Sequence, residues 1–183
     1  MRLIKLLCLA STLLPASLLA ATVTLNPSDG NITGFAGQPV GWGFTIINSS
    51  PVEWISFTES VLVGETNPSL GVYSDFVGPQ GGPMNFSLEP LAQWNETFSD
   101  ATQTGIGEYL IDPSAVSGAQ DSGAIRVMWE QFAGDPSTCN CSPAAFSQDV
   151  PFEVTVANAP EPGAAWLAAV GCAWLLRRRR LRR

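Results

Sequence analysis

Apolar residues in the middle of this chain recur at every second position, and this period constrains the fold more than any other feature. Val40, Trp42, Phe44 and Ile46 alternate with small or polar residues. Side chains two positions apart lie on the same face of a β-strand, so each such segment is predicted to be a strand with one buried face. The clearest segments are residues 40–46, 55–63, 84–88, 125–129 and 152–156, and the weaker ones are residues 23–25, 94–98 and 106–111.

Turn-forming residues separate these segments. Gly, Pro, Asn, Asp and Ser cluster between the predicted strands, and each favours a turn for its own backbone reason. No long segment has the apolar period of a helix. Short strands with frequent turns are typical of an all-β fold, here a single antiparallel β-sandwich that we assign to residues 21–156. The turn clusters are residues 27–31, 48–51, 78–83, 112–114 and 121–123.

Residues 37–48 run from a turn glycine through alternating apolar positions to an asparagine, and in this they resemble an early strand of bacterial immunoglobulin-like modules. The resemblance implies an immunoglobulin-like sandwich. Glu59 interrupts the apolar face of its strand, which predicts a β-bulge there. Four tryptophans lie in the domain, and most are expected to pack in its core: Trp42, Trp54, Trp94 and Trp129.

The first twenty residues have the layout of a secretory signal peptide. Arg2 and Lys5 precede an apolar run over residues 6–19, and the small residues Ala20 and Ala21 follow. We therefore assign residues 1–20 as a signal peptide and expect the domain to be exported. An N-terminal membrane anchor is the alternative, although the apolar run is short for one.

Charge is divided sharply along the chain. Between Ala21 and Ala159 there are fifteen acidic residues and one basic residue, Arg126, which gives this part a net charge of −14. Binding to nucleic acid requires clustered Lys and Arg, so no nucleic-acid partner is expected.

The C-terminal residues form a different unit, which we assign to residues 157–183. A linker over residues 157–162 contains Pro160, Glu161 and Pro162, and an apolar segment over residues 163–176 follows. The chain then ends in a basic cluster over residues 177–183. Its arginines are Arg177, Arg178, Arg179, Arg180, Arg182 and Arg183.

This order of a Pro-Glu-Pro motif, an apolar helix and terminal arginines resembles the PEP-CTERM sorting tail. The resemblance implies that the protein is a substrate of an exosortase, a membrane-embedded cysteine transpeptidase that reads Pro160, Glu161 and Pro162 and cuts near them. It also implies bacteria that make exopolysaccharide, and hence a role in a biofilm matrix. The alternative is a simple tail anchor in which the prolines only begin the helix.

The predicted transmembrane helix is short. Its fourteen residues would span about 21 Å at about 1.5 Å per residue, against a hydrocarbon core of about 30 Å. The positive-inside rule keeps the arginines cytoplasmic and the domain outside. We expect an intermediate tethered to the inner membrane, and then a protein at the cell surface or in the extracellular matrix.

The chain lacks residues that several kinds of catalytic and metal-binding site require. The chain has no histidine, and its one lysine, Lys5, lies in the predicted signal peptide. The usual nucleophile–base triads and most zinc sites need histidine, so we predict no catalytic residues, no metal site, no cofactor and no enzymatic activity. Calcium remains chemically reasonable because it prefers oxygen ligands, but turn formation explains the residues concerned equally well. Those residues are Asp29, Gly30, Asn31, Asp121 and Ser122.

Two kinds of covalent modification, a disulfide and glycosylation of asparagine, are compatible with the sequence. Cys139 and Cys141 either form a short local disulfide after export or remain free thiols. Four triplets fit the Asn-x-Ser/Thr acceptor pattern, which exposed strands and turns also produce. They begin at Asn31, Asn48, Asn85 and Asn95.

Three functions are compatible with these observations. The first is a structural or adhesive protein of the cell surface or biofilm matrix. The second is a carbohydrate-binding module that uses an exposed Trp54 or Trp94 as a platform for a surface glycan or exopolysaccharide. The third is a hydrolase that uses two carboxylates, the one pair of groups that glycoside hydrolysis requires.

Overall fold

A computed structural model describes residues 21–78, 82 and 86–158 of the chain. Within this part the chain forms ten β-strands in two five-stranded sheets. No helix in the described ranges is long and apolar enough to cross a membrane. The predicted signal peptide (residues 1–20) and the predicted transmembrane helix (residues 163–176) lie outside the described residues.

The first sheet is built around β3. It has the order β1-β3-β8-β5, and β7 pairs with the later half of β3, beside the point where β8 pairs with the earlier half. All pairs in this sheet are antiparallel. The strands are β1 (Ala21–Asn26), β3 (Pro39–Asn48), β5 (Gly71–Asp75), β7 (Gln93–Glu96) and β8 (Gly107–Ile111).

The second sheet is built around two long strands, β9 and β10, which form a hairpin. It has the order β2-β10-β9-β4-β6. The strands are β2 (Asn31–Gly34), β4 (Trp54–Val63), β6 (Ser87–Leu88), β9 (Gln120–Phe132) and β10 (Ala144–Val156). The predicted all-β fold with two packed sheets is confirmed.

The prediction of a purely antiparallel sandwich is wrong at one pair. Strand β2 runs parallel to β10, with Asn31 opposite Glu153 and Gly34 opposite Val156. The reason is topological. After β1 the chain crosses from the first sheet to the second through the turn at residues 27–30, so β2 meets β10 in the same direction.

The core lies where the period-two pattern predicted it. Val40, Trp42, Phe44 and Ile46 are all buried, as are the matching positions of β9 and β10. The Trp42 ring packs edge-on against Phe152 of the facing sheet, with ring centroids 5.5 Å apart. Such cross-sheet contacts remove apolar surface from water and hold the two layers together.

The predicted bulge in β4 is confirmed. Phe57 lies opposite Trp129 and Glu59 lies opposite Met128, so Thr58 is the extra residue between them. The bulge resets the alternation of the strand, because Phe57 and Ser60 both point into the sandwich although three positions separate them. Ser60 thus becomes a buried polar residue.

Candidate functional site

The described chain leaves the sandwich between two loops. Gly118 N–H donates to the Val156 carbonyl (2.9 Å), and Ala157 N–H donates to the Gly34 carbonyl (2.7 Å). We call this side the exit end and define it as the loops at residues 35–38 and 112–119 together with residues 156–158. Pro160, Glu161 and Pro162 begin two positions beyond Asn158, and they and the six C-terminal arginines lie outside the described residues.

Cys139 and Cys141 lie at the opposite end of the long hairpin. Residues 133–143 join β9 to β10, and the sulfur atoms of Cys139 and Cys141 are bonded at 2.20 Å. Asp135 organises the same loop by accepting hydrogen bonds from Ser137 N–H (2.8 Å) and Ser137 O–H (2.7 Å). These bonds hold the pKa of Asp135 below its usual value. The loop is thus a locally cross-linked tip far from the exit end.

The tryptophans divide between core and surface. Trp42 and Trp129 are fully buried, and the Trp42 indole N–H donates to the Gly30 carbonyl at 2.7 Å. Trp54 is half-buried at the start of β4. Trp94 on β7 is 38% exposed, which makes it the more accessible of the two predicted platforms.

The Trp94 ring is supported from below and polar at its edge. It stacks on Phe86, with ring centroids 4.9 Å apart and an angle of 23° between the planes. Its indole N–H donates to Glu96 Oε2 at 3.4 Å. A supported, part-exposed indole beside a carboxylate has the chemistry to stack on a sugar ring and to accept a hydrogen bond from a sugar hydroxyl. The sequence indicated Trp94 but not Phe86 or Glu96 as its companions.

A groove of about 510 Å³ runs between the free edges of β4 and β5. On its floor, Asp75 accepts hydrogen bonds from the N–H groups of Ser60 (3.0 Å) and Val77 (2.9 Å). The hydroxyls of Ser60 and Tyr73 share a 2.7 Å hydrogen bond. Burial raises the pKa of both Asp75 and Tyr73. These groups satisfy one another, so they tie the edge of β4 to the edge of β5. No sequence pattern indicates this network, because it depends on the bulge and on which strands are neighbours.

The acidic residues considered for calcium have other partners. Asp121 is fully buried and accepts hydrogen bonds from Tyr109 O–H (3.0 Å) and Asn67 N–H (2.9 Å). Asp29 accepts from Asn31 N–H at 3.1 Å, which closes a turn. Among residues 21–78, 82 and 86–158, no group of three or more His, Cys, Asp or Glu side chains is arranged to hold a metal ion.

Two further carboxyl pairs are relevant to the hydrolase hypothesis. Burial, followed by a hydrogen bond with Asp100, raises the pKa of Glu108 on β8. Burial and the neighbouring Asp121 likewise raise the pKa of Glu65. A raised pKa suits a general acid. However, Asp121 is already held by Tyr109 and Asn67, so its pair with Glu65 is explained by structure alone.

The chain matches no protein-family profile and no curated protein sequence. Among solved structures it is similar to the ASH / PapD-like domain of human CEP192 (PapD-like domain 7), with 9% identical residues and a TM-score of 0.38. The match covers 87% of this chain and 100% of that one. At this TM-score the similarity assigns no function.

Proposed function

We propose that this chain is an exported bacterial protein of the cell surface or extracellular matrix, delivered by a PEP-CTERM tail to an exosortase. The observation that carries the proposal is the order of three elements in the last two dozen residues. These elements are the motif at Pro160, Glu161 and Pro162, the apolar segment 163–176 and the arginine cluster 177–183. Residues 1–20, with the layout of a signal peptide, add the export step.

The proposed role of the β-sandwich is structural or adhesive. Its two sheets share one continuous core, and its net charge of −14 keeps it soluble and away from anionic surfaces in the absence of bridging divalent cations. The hydrogen-bonded acids in its interior have structural partners. The domain is therefore best suited to act as a stable, acidic module presented outside the cell.

Substitution of the motif tests the sorting step. Pro160→Ala and Glu161→Ala are combined in a host that carries the exosortase, and the mass and location of the mature protein are compared with wild type. Ala159→Ser, one position before the motif, serves as the matched control. We expect the double variant to retain its C-terminal residues and the control to be processed. Normal mass and location of the double variant would refute processing at this motif.

A carbohydrate-binding module is the second candidate, and the exposed Trp94 ring stacked on Phe86 favours it. Stacking of a sugar on an exposed indole depends on the ring, so Trp94→Ala should abolish glycan binding on an array. Leu91→Ala, an exposed apolar residue near the same strand, is the control that should leave binding unchanged. Absence of binding of the wild-type protein to every glycan would discard this candidate.

A further inference from the structure

We infer that the exit end of the sandwich rests on the lipid–water interface while the tail holds the protein in the membrane. Phe35 and Val116 are the side chains that enter this interface. The inference rests on the proposed function, because it requires the apolar segment 163–176 to be inserted. It adds a second contact, made by the folded domain itself, whose partner is the lipid headgroup and upper acyl region.

The two side chains flank the point where the chain leaves the domain. Phe35 is 44% exposed and directly follows Gly34, whose carbonyl accepts the Ala157 N–H. Val116 is 72% exposed and lies two positions before Gly118, whose N–H donates to Val156. The strand residue before Phe35 and the loop that carries Val116 are thus each hydrogen-bonded to the last described residues, so both side chains lie beside the exit.

The length of the connecting chain limits how far this end can lie from lipid. Gly163, the first residue of the apolar segment, lies five positions after Asn158, and these five steps reach at most about 18 Å when the chain is fully extended. The hairpin strands β9 and β10 are thirteen residues each, or about 43 Å at about 3.3 Å per residue. The tether is therefore short compared with the domain, and it brings the exit end, rather than the cysteine tip, to the membrane.

The charge of the exit loops fits this partner. In a domain with fifteen acidic residues, the loops at residues 35–38 and 112–119 contain one, Asp112. Two further exposed apolar side chains, Val72 and Leu110, lie side by side on β5 and β8 next to these loops. Transfer of apolar side chains from water to the headgroup–acyl boundary is favourable, because it lowers their free energy. Few charges in these loops oppose that transfer.

Exposure of apolar residues does not by itself select this end. Val52 (68% exposed) and Leu91 (70% exposed) lie at the opposite end, near the start of β1 and the cysteine tip. The attachment of the tail distinguishes the two ends. Val52 and Leu91 are therefore matched controls, equally exposed and apolar but held away from the bilayer.

Photocrosslinking to lipid tests the inference on the full chain. The photoreactive residue benzoylphenylalanine replaces Phe35, Val116, Val52 or Leu91, one position at a time, in a host without exosortase, so that the tail remains attached. A fifth variant carries it at Leu167, within the apolar segment, and reports insertion of the tail. Membranes contain a fatty acid with an alkyne tag, and lipid adducts are quantified after illumination. All labelled domain positions are exposed, so the substitutions leave the core intact.

The expected result is adducts at Leu167, Phe35 and Val116, several-fold above those at Val52 and Leu91. Adducts at Leu167 without any excess at Phe35 and Val116 would overturn the inference and leave the proposed function standing. No adducts at Leu167, together with release of the protein by alkaline carbonate, would overturn both, because the tail would then not be inserted. Equal adducts at both ends of the domain would also contradict the inference, since the contact would not be specific to the exit end.

Discussion

Asp121 illustrates how this acidic domain holds a carboxylate in its interior. The side chain is fully buried, and its two oxygens accept hydrogen bonds from Tyr109 and Asn67. A buried charge without such donors would cost several kcal/mol. The bonds connect β8, the loop after β4 and the start of β9, so one residue ties three parts of the fold together.

Tyr109→Phe should therefore destabilise the protein. The change keeps the ring in the core but removes the hydroxyl that donates to Asp121 Oδ2. A buried acceptor left without its partner costs about 1–3 kcal/mol. Urea unfolding measures the difference, and Leu110→Ala, at an exposed position of the same strand, should change stability by less than about 0.5 kcal/mol. Equal stability of Tyr109→Phe and wild type would show that this hydrogen bond contributes nothing.

The raised pKa of Asp75 predicts how the free energy of unfolding changes with pH. Burial raises the pKa of Asp75 above its ordinary value of 3.8 in the folded protein. The folded state then binds the proton more readily than the unfolded chain does, so this group stabilises the fold as the pH falls from the folded pKa towards 3.8. Relative to Asp75→Asn, wild type should gain stability on acidification through this range.

Asp112 is the control, because its pKa shift predicts a pH dependence of stability with the opposite sign. Hydrogen bonds from Ser114 lower the pKa of this exposed carboxyl, so its contribution is present above the ordinary pKa and is lost as the pH falls through the folded pKa. Denaturation curves at several pH values, compared between wild type and each Asn variant, measure both slopes. A difference curve for Asp75→Asn that is flat or slopes in the same direction as that for Asp112→Asn would contradict the assignment.

At the scale of single residues, the sequence predicted burial better than it predicted partners. The alternation identified the buried faces of Trp42 and Trp129 because the period of a strand is local. The bond between Ser60 and Asp75 joins residues fifteen positions apart on strands of different sheets. No local pattern encodes such a neighbour, so the network could not be predicted.

Among the secondary-structure elements, β1 has an edge that a side chain protects. Val23 N–H donates to Gln148 Oε1 (2.9 Å), and Gln148 Nε2 donates to the Val23 carbonyl (2.8 Å). The amide of Gln148, on β10, thus pairs with main-chain groups of β1 as a neighbouring strand would. An edge strand with unpaired groups is a template for association with other chains, and this pairing covers part of it.

Gln148→Leu should loosen β1. The variant keeps a side chain of similar size but removes both hydrogen bonds to Val23, so we expect faster hydrogen exchange at the Val23 amide and a loss of about 1–3 kcal/mol. Ser147→Ala, one position along on the outer face of β10, is the control. Unchanged protection of Val23 in Gln148→Leu would show that the amide does not hold this edge.

Two strands were absent from the prediction for identifiable reasons. In β2, Asn31–Gly34, the single large apolar residue is Ile32, which gives no alternation. In β5, Gly71–Asp75, the exposed Val72 and the inward Tyr73 are adjacent, so the apolar pattern shows no period of two. Both strands are short and lie at sheet edges, where partial exposure weakens the signal. The parallel pairing of β2 with β10 depends on the path of the chain between the sheets, so it could not be predicted from the sequence either.

For the whole molecule, charge is the dominant property. The net charge of −14 on residues 21–159 destabilises the compact domain through repulsion between its acids. Dissolved salt screens exposed charges over about 10 Å at 0.1 M. The melting temperature should therefore rise as NaCl is added, and CaCl₂ at equal ionic strength should raise it by the same amount. A melting temperature that falls with NaCl would contradict this view of the charge, and a larger rise with CaCl₂ would indicate specific cation binding.

The course of the chain places the exit end and the cysteine tip on opposite sides of the domain. β1 begins beside the cysteine tip and β10 ends at the exit end. If the tail is inserted in the membrane, the sandwich projects outward with residues 133–143 and Trp94 towards the surroundings. A glycan-binding surface at Trp94 would then face away from the membrane, on the side of the domain opposite the exit end.

The intact mass of the protein recovered from the surface of its native host shows whether the tail is processed there. If the tail is processed as proposed, this mass lacks residues 1–20 and everything beyond the Pro160-Glu161-Pro162 region, including residues 177–183. Recovery of a protein that still carries Arg177 through Arg183 would contradict the proposal.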